Sequence, residues 1–162
     1  MNTFCHKEGY KFLFELLIAA TPLQLASCGG SQEVYEKTMR AGLMKRAIVE
    51  LQAGGIEPDV WKLEGLESSE DMQSVSEAAR SGGRDKVSIV VLGRGESEEK
   101  VLIWLAAAAR VPGVIGFAVG RTIFKEPLLR FHKRQAPREE TARTIANNFK
   151  HYVDLFESAG NT

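Results

Sequence analysis

Val87-Ser88-Ile89-Val90-Val91-Leu92 (VSIVVL) is almost continuous in aliphatic, mostly β-branched residues, which predicts a buried strand. Amphipathic runs flank it. Upstream, Glu67 to Arg80 has helical spacing, with Ser68 or Ser69 as N-cap and Gly82-Gly83 as the stop. Downstream, Ser97 to Arg110 is an alanine-rich helix that ends before Pro112. Two further apolar runs bracket these helices: Asp59 to Glu64 (DVWKLE) and Gly113 to Val119. Farther out, Lys11 to Ile18 reads as the first strand. A helix is predicted over Gln32 to Ala53 on the apolar positions Val34, Met39, Leu43, Ala47 and Leu51, stopped by Gly54-Gly55. After the last strand the sequence predicts a short helical piece over Glu126 to Phe131. A long helix then runs from Pro137 to Glu157, with Gly160 beyond its end.

These elements make four consecutive βα units of the α/β class. Apolar strands alternating with helices imply a parallel sheet covered on both faces or closed into a barrel. A (β/α)8 TIM barrel needs eight strands and about 250 residues. Four units are therefore half of one. No linker or low-complexity stretch divides the chain, so residues 1–162 are expected to form a single domain. A half-barrel leaves two unpaired edges and an open apolar interior. The expectation is a homo-oligomer or pairing with a complementary half-barrel.

Composition narrows the function classes. Of 162 residues, 44% are apolar and 26% charged, as in an ordinary globular domain. Lys plus Arg and Asp plus Glu number 21 each, so no overall basic field points to nucleic acid or an anionic membrane. The two cysteines, Cys5 and Cys28, lack metal-type spacing, and the expected compartment is the cytoplasm. An alternative is a lipoprotein starting at Cys28, since Leu25-Ala26-Ser27-Cys28 follows the apolar run Phe12 to Ala20. Glu15 stands against it, because an acidic residue in such a run costs about 3 kcal/mol on insertion scales. His6, His132 and His151 have no ligand-like spacing, so neither a metal nor a cofactor is expected.

Charged residues inside apolar strands are the candidates for chemistry. Lys62 lies between Trp61 and Leu63. Lysine amines attack carbonyls only when neutral, which desolvation and nearby cations favour. The plainer alternative is a strand-end lysine reaching back to water. Glu15 holds the equivalent place in the first strand. If the two strands are neighbours, both side chains point into one interior, as a general acid/base beside a nucleophile or as a structural ion pair. Glu64 falls on the same side as Lys62, where it either orients the lysine or ends the strand as a solvated charge. The third and fourth strands end alike. Gly93-Arg94-Gly95 follows one and Gly120-Arg121 the other. Glycines let a backbone approach a ligand closely, and arginine suits a phosphate dianion.

The segments KFLFELL, DVWKLEG, VVLGRGES and GFAVGRTIF, in this order, resemble the C-terminal half of the 2-deoxy-5-keto-gluconate 6-phosphate aldolase family of inositol catabolism. That family is similar in turn to tagatose 1,6-bisphosphate aldolase, a class I (β/α)8 enzyme. The resemblance runs from about Tyr10 to Phe156 and makes this chain equivalent to strands five to eight. It implies Lys62 as the imine-forming residue and Glu15 as the general acid/base. Arg121 would hold the substrate phosphate, assisted by Arg94, Gly93, Gly95 and Gly120, with Glu64 nearby. The implied substrate is a sugar phosphate, split without a metal into dihydroxyacetone phosphate and malonate semialdehyde. The alternative is an inactive half-barrel that binds a sugar phosphate or a partner subunit. One departure is Ile18-Ala19-Ala20-Thr21, where the family tends to carry a proline; the mouth of the first strand is expected to differ.

Overall fold

The four apolar runs become four strands, β1 (Leu13–Leu16), β2 (Val60–Glu64), β3 (Ser88–Leu92) and β4 (Val114–Ala118). They are seen in a computed structural model that describes residues 1–160. All neighbours pair in parallel in the order β1-β2-β3-β4. The helices are α1 (Asn2–Lys7), α2 (Pro22–Ser27), α3 (Gln32–Thr38), α4 (Arg40–Ala53), α5 (Ser69–Arg80), α6 (Glu98–Ala108), α7 (Arg121–His132) and α8 (Arg138–Gly160). This is an α/β sheet of half-barrel type, as the sequence predicts. The run Phe12 to Ala20, open to an export-signal reading, contributes β1, which pairs with β2.

Register is pinned at the start of β1 and β2. The Asp59 carboxylate accepts the Phe12 N–H at 2.8 Å and Lys11 Nζ at 2.9 Å. The Phe12 hydrogen bond and the Lys11 charge hold that carboxyl below its ordinary range, against the opposing effect of burial. Two faces then separate by the period of two along each strand. Phe14, Leu16, Trp61, Leu63, Ile89, Val91 and Phe117 pack into the core under the helices. Phe117 meets the rings of Phe149, Tyr152 and Phe156 on α8 at centroid distances of 5.9 to 6.2 Å. α4 packs on α5, α5 on α6, α6 on α8, and α8 on α7. The opposite face carries Leu13, Glu15, Val60, Lys62, Val90 and Leu92. This face is open at its edges, as expected of a half-barrel. On the β1 side Leu13 and Leu17 are 50% and 56% exposed, and Ile115, the extra residue of a bulge in β4, is 63% exposed.

Three helical expectations are corrected. The helix predicted over Gln32 to Ala53 is two helices, broken at Met39 (φ −121°, ψ −37°). Thr38 Oγ1 donates to the Val34 carbonyl at 2.7 Å, a back-bond that bends helices at this point. The buried stripe is Tyr35, Glu36, Arg40, Met44, Ile48 and Gln52, one residue out of phase with the apolar spacing; Val34 is exposed. Distant carbonyls accept hydrogen bonds from two polar members of the stripe: Arg40 Nη2 donates to Gly65 O and Gln52 Nε2 to Ala79 O, each at 2.8 Å. The short piece expected at Glu126 to Phe131 is the longer α7, which starts after only Val119 and Gly120 beyond β4. Its Pro127 has no N–H to offer the Ile123 carbonyl, and Asn148 Nδ2 of α8 supplies the hydrogen bond at 2.9 Å. Finally α1 and α2 lie outside every helix that the sequence predicts; α2 begins at a capping box between Thr21 and Gln24 with Pro22 in its first turn.

Candidate active site

A cleft of about 270 Å³ opens at the carboxyl ends of the strands. It is lined by Glu15, Lys62, the Gly93–Gly95 loop, and Gly120 to Thr122 with Phe124. Every residue singled out in the sequence borders it except Glu64. A larger hollow of about 620 Å³ is bounded by Phe131, His132 and Arg134 to Pro137. It has no carboxylate and no lysine among its lining residues.

Lys62 and Glu15 are direct partners in the β1–β2 register, and Lys62 Nζ donates to Glu15 Oε2 at 2.9 Å. The lysine side chain is 25% exposed and the glutamate 45%. The pair thus stands on the open face of the sheet, with its charges matched.

The two glycine-arginine loops form a single unit. Arg94 and Gly95 both adopt left-handed backbone conformations (φ 53° and 83°), and Glu96 N–H closes the turn on Gly93 O at 3.0 Å. A Cβ on Gly95 would lie 2.6 Å from Arg121 Nη2 and push that guanidinium aside, and the left-handed backbone also favours glycine there. Arg121 Nη2 donates to the Arg94 carbonyl at 3.1 Å, and Thr122 Oγ1 to the Glu96 carbonyl at 3.3 Å. The first turn of α7 is therefore laced to the loop after β3. Among the described residues no carboxylate pairs with Arg121, whose cationic charge remains available at the cleft.

Arg94 is placed differently. Its Nη1 lies 3.0 Å from Glu64 Oε1 and 3.5 Å from Glu36 Oε1. Glu64 is buried, and its Oε2 accepts the Ile18 N–H at 2.6 Å. Glu64 is thus neither a solvated strand end nor a partner of Lys62; it ties the end of β1 to Arg94. Glu36 is not among the residues that the sequence reading singles out. This buried carboxylate also accepts Lys100 Nζ and Gln32 Nε2 and stands 3.4 Å from Arg40 Nη1. Burial pushes its carboxyl up. The Lys100 and Gln32 hydrogen bonds and the Arg40 charge outweigh that and hold it below the ordinary range. Arg40 and Lys100 also lie over the Trp104 ring, 5.2 and 5.5 Å from its centre. The i, i+4 spacing of Glu36 and Arg40 was visible, but it looks the same as a solvated helix pair.

Among the described residues no group of three or more His, Cys, Asp or Glu is placed to hold a metal ion. No described helix is long and apolar enough to cross a membrane.

The fold and site define a class: a parallel βα half-barrel with a polar cleft at the carboxyl ends of its strands. Residues 3–160 match the family model described as "Uncharacterized protein conserved in bacteria (DUF2090)", and the chain belongs to that family. No curated protein matches it at a significant level.

Proposed function

We propose that the chain carries the catalytic half of a class I aldolase acting on a phosphorylated keto sugar acid, with 2-deoxy-5-keto-gluconate 6-phosphate as the substrate its motifs suggest. The observation that carries this is the Lys62–Glu15 pair at 2.9 Å in one cleft with the Arg121 guanidinium. The Lys62 amine adds to the substrate ketone and water leaves, giving an imine. Glu15 takes the proton of the hydroxyl β to the imine carbon. The C–C bond breaks, the aldehyde departs, and the electron pair passes through the new enamine toward nitrogen. Protonation of the enamine carbon and hydrolysis return dihydroxyacetone phosphate and the free lysine. Arg121 and the α7 N-terminus hold the phosphate, as a guanidinium and free N–H groups suit a dianion.

Glu15→Gln keeps the side chain's shape and removes the proton acceptor. Cleavage should fall by about 10²- to 10⁴-fold, while borohydride trapping of the imine persists. Loss of both together would mean that Glu15 only positions the lysine. Arg121→Ala should raise KM for the phosphorylated substrate and leave a phosphate-free analogue unaffected. Equal losses on the two substrates would remove the phosphate role.

A non-catalytic half-barrel that binds a sugar phosphate is the second reading. It is favoured by the exposure of Glu15 on an uncovered sheet face. Phosphate-ester binding without any trapped adduct would select it.

A further inference from the structure

The sheet ends at β1 on one side and β4 on the other, and all its strands run the same way. The chain has an accessible surface of 9664 Å². A folded monomer of its 17.9 kDa mass exposes about 8,000 Å². The excess, roughly 1,600 Å², is more than the roughly 800 Å² per partner that a stable protein interface buries. Part of it lies on the open face and its edges, where Leu13, Leu17 and Ile115 stand. The charges there are already paired, Lys62 with Glu15 and Arg94 with Glu64. Covering the face therefore strands none of these four as a lone ion, which lowers the cost of burying charge.

We infer that a second copy of this chain covers this face, the two sheets closing into one eight-stranded parallel barrel. A two-fold axis along the barrel places β4 of each copy beside β1 of the other. Both seams are parallel, and no edge is left. A two-fold axis across the strands would pair β4 with β4 in antiparallel fashion and leave both β1 edges bare. Eight strands also form the size of barrel whose interior side chains just fill. In this dimer both clefts open at the same end, and the Glu15–Lys62 pairs face each other across a shared, drier interior. The inference concerns assembly and holds whether or not Lys62 forms an imine.

Light scattering on the full chain after size exclusion should return twice the 17.9 kDa chain mass. Ile115→Lys places a charge at each seam and should lower the mass to that of one chain at the same concentration, with the circular dichroism spectrum kept. A second measurement covers the case in which that variant does not fold. In a Cys5→Ser, Cys28→Ser background, Leu13→Cys and Ile115→Cys together should give a covalent dimer with a short bis-maleimide, and neither alone should. A monomer at tens of micromolar overturns the inference, whether or not another half-barrel polypeptide later seats on it. So does a dimer that Ile115→Lys leaves intact, or cross-linking in either single-cysteine variant. Because imine trapping is a separate measurement, failure of the assembly and failure of the proposed chemistry are distinguishable.

Discussion

Replacing Lys62 with alanine should abolish borohydride trapping of dihydroxyacetone phosphate while leaving the fold in place. Reduction converts the lysine imine to a secondary amine, so the adduct stays on one peptide and is located by mass. The proposed chemistry depends on this one nitrogen: among the described residues Lys62 is the lysine that lines the cleft, and it donates a hydrogen bond to Glu15. Stability depends on it much less. The ion pair is half open to solvent, and exposed pairs of this kind contribute at most about 1 kcal/mol. Circular dichroism and the urea midpoint should therefore stay close to those of the parent. An adduct that survives on another lysine, or a parent protein that never traps, would sink the proposed imine.

Glu36→Ala should produce the largest loss of stability. The substitution takes from Arg40, Arg94 and Lys100 the carboxylate they share; Arg40 is itself buried, and Arg94 keeps Glu64. Removing one partner of a buried ion pair costs about 3–5 kcal/mol, because the remaining charge is stranded. That is a large part of the roughly 5–15 kcal/mol that holds a domain together. Urea unfolding should show it as a lower midpoint. The same residue gives the protein an acid-sensitive element. Its carboxyl lies below the ordinary value in the folded state, so the unfolded chain takes up the proton first as pH falls. The contribution is complete above the unfolded value of about 4.3 and is lost as pH drops through the lowered folded value. The stability gap between parent and Glu36→Gln should shrink across that window. A gap that stays constant through the acid range would show that Glu36 titrates alike in both states.

Much of the architecture was legible along the chain. The strands could be read because aliphatic runs bounded by turns have few other solutions, and β1 to β4 fall within the four predicted runs. Helix ends were legible where a side chain caps them: Ser68 and Ser97 each accept the expected backbone N–H. Helix faces were less so. The stripe under α3 and α4 includes Glu36, Arg40 and Gln52, and a hydropathy pattern assigns such residues to solvent. Their burial depends on Gly65 O, Ala79 O and Lys100, which belong to other segments. The sequence pattern placed Arg94 with the phosphate-binding residues, because it ends a strand between glycines as Arg121 does after Gly120. In the fold its guanidinium lies against Glu64 and Glu36, and only its carbonyl reaches Arg121.

Local sequence is enough to give the four βα units, the charged positions inside the strands, and the glycines at the two loop ends. These follow from local rules: side-chain period, turn chemistry and the cost of charge in an apolar run. Tertiary folding alone sets Glu15 opposite Lys62 and turns Glu64 to Arg94. Those outcomes join residues 30 to 47 positions apart, through strand register and shared burial. Pairing over such distances is fixed when the sheet assembles, and no window along the chain contains both partners.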